Sequence, residues 1–110
     1  MRTLKAASEI DALFKTGRRG STDLIVVLSA PTPERRGPGG RVVFVAGKKL
    51  GGAVMRNRCK RVLREAVRRA GGPWGGHDVA VVARFHVATA TPAELDAALV
   101  LGLRKAGVAG

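Results

Sequence analysis

The apolar positions along this chain change period several times, and each change marks an element. Ser8 starts a helical pattern with Asp11 three residues on, a capping-box arrangement, and Ile10, Leu13 and Phe14 share one face until Gly17 ends it. Leu24 to Ser29 (LIVVLS) and Arg41 to Ala46 (RVVFVA) are β-branched runs bounded by turn formers, which predicts two buried strands. Between them, residues 31–40 (PTPERRGPGG) hold too much proline and glycine for regular structure and are expected to form a mobile hairpin loop. A long helix is predicted from about Ala53 to Ala70, stopped by Gly71, Gly72 and Pro73. Val79 to Phe85 (VAVVARF) reads as another strand. Thr91-Pro92-Ala93-Glu94 then supplies an N-cap, a proline at N1 and a carboxylate at N3 for a last helix, whose apolar face is Leu95, Ala98, Leu99 and Leu103. The predicted order is α-β-β-α-β-α with room for one more short strand, an α+β sandwich around a small sheet. With 110 residues, no internal repeat and no dividing linker, residues 1–110 are expected to form one domain.

The long helix has two faces of opposite character. At about 100° per residue, Cys59, Val62, Leu63, Ala66, Val67 and Ala70 gather into one apolar arc that belongs on a core. Lys60, Arg64 and Arg68 form an i, i+4 row on the other side, flanked by Asn57, Arg58 and Arg61, with Glu65 the single acid among them.

Charge turns that pattern into a functional reading. The chain carries 20 Lys and Arg against 8 Asp and Glu, a formal charge of +12. Ten basic residues and no acid lie between Arg35 and Arg64, so like charges at i, i+4 spacing stand uncompensated and each costs a few tenths of a kcal/mol in an isolated helix, roughly the scale of such pairs. A face selected for solubility alone would mix its signs. Six arginines and one lysine on the helix favour the planar fork that grips phosphate oxygens in pairs. Upstream, Lys48-Lys49-Leu50-Gly51-Gly52 sets two cations and two glycines against a helix N-terminus, which attracts phosphate but lacks the spacing of a nucleotide-hydrolase loop. Nucleic acid is therefore the expected partner, and a solvated basic surface is the plainer alternative. A membrane would require an amphipathic helix with large apolar anchors, and Trp74 lies outside any such helix.

Catalytic groups are sparse. His77 precedes a strand and His86 follows it, so the two are expected about 25 to 30 Å apart at strand rise. Cys59 falls on the apolar arc, and no His/Cys cluster has metal-ligand spacing. No catalytic residue and no metal ligand is assigned. One cysteine excludes an intrachain disulfide, and the absence of an apolar leader or of a run of about 18 apolar residues points to a cytoplasmic protein.

The stretch Lys48 to Arg69, KKLGGAVMRNRCKRVLREAVRR, resembles the signature of the protein component of bacterial ribonuclease P, whose hallmark is an Arg-Asn-Arg core after a glycine-containing turn. That core is Arg56-Asn57-Arg58, followed in register by Lys60-Arg61 and Arg64-Glu65. The first helix, the strand after it, Asp78 to Arg84 and the Thr91 helix follow in the family's order. The resemblance implies a subunit that binds a catalytic RNA and the 5′ leader of precursor tRNA. It assists endonucleolytic removal of that leader by the RNA, which uses magnesium ions. The partners implied are the catalytic RNA and precursor tRNA, with no membrane, no obligate protein partner and no cofactor held by the protein alone. Carried over by position, RNA docking falls to Lys48, Lys49, Arg56, Asn57, Arg58, Lys60, Arg61 and Arg64. Arg68 joins them as the next member of the basic row. A leader cleft between the sheet and the first helix falls to Phe14, Ile10 and Leu28, with a core role for Phe14 equally open. The sequence departs from the family in having no tyrosine, in lacking the aromatics often found at Ile10 and Leu28, and in placing Gly52 where Asn is common. The resemblance also implies a left-handed β-α-β crossover around the basic helix. Charge alone supports a second reading, a general structured-RNA or ribosome-binding protein. A self-sufficient nuclease built on His77 or His86 is the third.

Overall fold

The computed structural model describes residues 13–15, 17–32 and 39–108. Leu13, Phe14 and Lys15 are helical, and the Gly17 amide donates to the Leu13 carbonyl at 3.0 Å where the chain turns out of that helix. Four strands follow: β1 (Arg18–Ser21), β2 (Ile25–Pro31), β3 (Arg41–Val45) and β4 (His77–Ala83). The basic helix (Ala53–Arg69) lies between β3 and β4, and the last helix (Pro92–Lys105) follows β4. The extra short strand is β1, which precedes the two apolar runs.

The sheet order is β1-β2-β4-β3, with β4 antiparallel to β2 and parallel to β3. This corrects the hairpin expected at residues 31–40. β2 and β3 are not partners, because β4 lies between them, so that connection spans two strand spacings, about 10 Å. β4 takes the centre because Asp78, Val79, Ala80 and Val81 are all buried, on both faces of the sheet. Residues 33–38 of the connection lie outside the described residues. β4 ends at Ala83, where its pairing with β2 stops, so Phe85 opens a 3₁₀ turn (Phe85–Thr89) and is not in the strand.

Alternation splits each strand between two layers. Ile25, Val27, Val42, Phe44, Val79 and Val81 face the two long helices and join Cys59, Leu63, Ala66, Val67, Leu95, Leu99 and Leu103 in the main core. Ala70 leaves the expected arc: it is the exposed C-cap of the basic helix. On the opposite face, Leu28 and Ala80 are buried with Leu13, flanked by half-buried Val26, Ala30, Val43 and Val82.

The last helix begins as its sequence dictates. Thr91 Oγ1 accepts from the Glu94 amide at 3.2 Å, and Glu94 Oε1 accepts from the Thr91 amide at 2.9 Å. These bonds favour the ionised carboxylate and hold Glu94 below its ordinary range. A lowered folded value means that the contribution is complete above the ordinary carboxylate range and is lost as pH falls through the folded value. Thr91→Ala is expected to cost about 1 kcal/mol near neutrality, with the difference from wild type shrinking in acid. Thermal melts of both proteins across an acid series measure this.

Candidate nucleic-acid interface

The basic helix is fixed by its buried arc. Cys59, Leu63, Ala66 and Val67 seat it on the sheet, and half-buried Val62 packs alongside. Helical phase then determines what faces outward. Asn57, Arg58, Lys60, Arg61 and Arg64, together with Val54, line one open depression of about 620 Å³. Arg68 is exposed one turn beyond Arg64. Four cations thus share a single concavity with one amide side chain, and Glu65 does not line it. Exposed fork donors and an amide on a concave surface match phosphate and ribose oxygens.

Not every predicted contact joins them. Arg56 falls within about 20° of Leu63 and Val67 in helical phase, on the side that faces the fold. It is half-buried, and its Nε is the single buried side-chain polar atom without a hydrogen-bond partner among the described residues. Lys49 is exposed in the 3₁₀ turn Lys48–Leu50 that leads into the helix, and Lys48 has its backbone in that turn. Arg69 is also set apart: its Nε and NH2 groups donate to the Asp96 carboxylate at 2.8 to 3.1 Å, tying the basic helix to the last helix. The sequence offered no sign of this pair, since its members are 27 residues apart. Two further residues escaped the sequence reading. Val54 is 85% exposed at the rim of the depression, and Phe44 of β3 lies with its ring centroid 5.6 Å from Arg64 Cζ.

Gly52 caps the helix in extended geometry with no side-chain hydrogen bond, and the first turn carries no acid. A Cβ there would meet open space. Gly52→Asn is therefore expected to stabilise the fold by a few tenths of a kcal/mol, roughly the Asn-over-Gly preference at this position. Chemical denaturation at fixed pH would register the gain.

Of the leader-cleft candidates, Phe14 is 42% exposed, which places its ring on the surface and not in the core. Leu28 is only 1% exposed beneath Leu13, so it belongs to the floor of that sheet face and offers no surface contact. Ile10 lies outside the described residues.

A family model described as Ribonuclease P matches residues 1–107. The chain belongs to the ribonuclease P protein family. Among relatives, the ribonuclease P protein component of Dehalococcoides mccartyi strain 195 is 48% identical over 56 residues, which cover 51% of this chain and 46% of that protein. The component of Geobacillus kaustophilus strain HTA426 is 34% identical over 107 residues, covering 94% of this chain and 85% of that one. The solved RNase P protein of Staphylococcus aureus superimposes with a TM-score of 0.82 at 25% identity, over 98% of this chain and 97% of that one.

Within this ribonuclease P family fold, the titratable candidates do not converge. His77 opens β4, and His86 lies in the 3₁₀ turn beyond its other end. Cys59 is a free, fully buried thiol; burial pushes its pKa up, and the Arg58 charge opposes this more weakly. Among the described residues, no group of three or more His, Cys, Asp or Glu could hold a metal ion, and no helix is long and apolar enough to cross a membrane.

Proposed function

We propose that this chain is the protein subunit of ribonuclease P, docking on a catalytic RNA through the depression on its basic helix and helping that RNA remove the 5′ leader from precursor tRNA. The observation that carries the reading is the gathering of Arg58, Lys60, Arg61, Arg64 and Asn57 in one open concavity. On this reading the RNA performs the hydrolysis with its own magnesium ions, and the protein contributes charge neutralisation and substrate grip. The leader passes along the sheet face opposite the long helices, where Phe14 offers an exposed ring and Val26, Val43 and Val82 an apolar bed. With no tyrosine in the chain and Leu28 buried beneath Leu13, base stacking contributes less to this grip and charge contributes more. The site of action is the cytoplasm.

Adding the purified chain to the RNA subunit from the same organism at low magnesium is expected to restore precursor-tRNA cleavage, while the chain alone cuts nothing. Cleavage by the chain alone would overturn the division of labour. A general structured-RNA binder would show equal affinity for unrelated folded RNAs, so competition at fixed salt separates that reading from this one.

A further inference from the structure

Arg64 differs from the other cations of the depression in what lies beneath it. Phe44 is 8% exposed and belongs to the core that also holds Cys59 and Leu63, so its ring is anchored by the sheet. The Arg64 guanidinium carbon sits 5.6 Å from that ring's centroid, within range of attraction by the ring quadrupole. A long side chain on an open surface samples many rotamers and gives up that freedom when it grips a ligand. A ring below it removes part of the freedom in advance. It does so without consuming N–H donors, whereas the Asp96 carboxylate occupies the fork of Arg69.

We infer that Phe44 is a positioning residue for RNA docking: it holds the Arg64 guanidinium in place over the rim of the depression, with the donor fork left for an RNA phosphate. The inference rests on the docking role proposed above for Arg64. It assigns a role in recognition to a buried strand residue that touches no RNA itself.

A double-mutant cycle tests it, with binding to the RNA subunit measured at fixed salt for wild type, Phe44→Leu, Arg64→Ala and the double variant. Phe44→Leu keeps an apolar side chain in the core but removes the ring. It is expected to weaken binding about 2- to 5-fold, the range of an exposed cation–π contact, and to cause no further loss once Arg64 is alanine. Phe44→Tyr retains the ring and is expected to bind within about twofold of wild type. Equal loss in both Arg64 backgrounds, or no loss with Phe44→Leu while Arg64→Ala binds weakly, would overturn the positioning role and leave docking intact. Full binding by Arg64→Ala would remove the docking role of Arg64 and the inference with it. Thermal melts accompany each variant, and if Phe44→Leu fails to fold, Phe44→Met makes the same comparison.

Discussion

Replacing Arg58 and Arg61 together with alanine is expected to lower affinity for the RNA subunit on the order of a hundredfold at moderate salt, while the melting temperature stays close to wild type. Both side chains are exposed and line the depression, so their removal opens no cavity and strands no buried partner. Each charge-assisted bond to phosphate contributes about 1.5–3 kcal/mol, and two lost contacts fall near that hundredfold even when they are not additive. The salt dependence discriminates more sharply than affinity. Each phosphate contact releases close to one counterion, so the slope of log K against log salt is expected to become shallower by about two. A double variant that binds weakly with the wild-type slope would place both residues away from phosphate.

Gly20→Ala is expected to destabilise the fold by about 1–3 kcal/mol, the range for overpacking, a fall of roughly 4–8 °C in melting temperature per kcal/mol for a small domain. β1 and the last helix meet here backbone to backbone. A Cβ on Gly20 would overlap the Gly102 carbonyl oxygen and crowd the Lys105 Cβ at 2.8 Å and the Ala106 nitrogen at 3.0 Å. Two bonds lock the same contact: Ser29 Oγ donates to the Ala106 carbonyl at 2.6 Å, and Lys105 Nζ donates to the Ser21 carbonyl at 3.1 Å. A side chain at position 20 must therefore lift the helix and weaken both bonds. Gly39→Ala is the control, since a Cβ there meets nothing within 4 Å; it is expected to leave stability unchanged or slightly raised. Matching melts for the two variants would show that the helix does not lie against β1 as described.

The chain divides into parts that do different work. Arg58 and Arg61 stand on a face that the fold leaves free, so their loss is expected to change association and not folding. Gly20 stands where two elements touch, so it governs folding and reaches RNA only through the geometry of the whole domain. Phe44 belongs to both groups, being packed in the core and placed beneath Arg64.

The amino-acid order alone was enough for the basic helix and its two faces, the capped last helix and the three apolar strands, to within a residue or two at most ends. These follow from local periodicity: a 3.6-residue repeat decides which side chains share an arc wherever the helix is later placed. The basic stripe was legible for the same reason, because Asn57, Lys60, Arg61 and Arg64 share a face by phase alone. β1 was not legible, since Arg18–Ser21 (RRGS) has no apolar alternation and becomes a strand by pairing with β2 and by the close approach of Gly20 to Gly102. Tertiary structure likewise placed β4 between β2 and β3, turned Arg56 toward the fold, joined Arg69 to Asp96 and set Phe44 under Arg64. Each of these depends on groups far apart along the chain meeting in space, and such meetings are fixed by how whole layers pack, not by the period of any one segment.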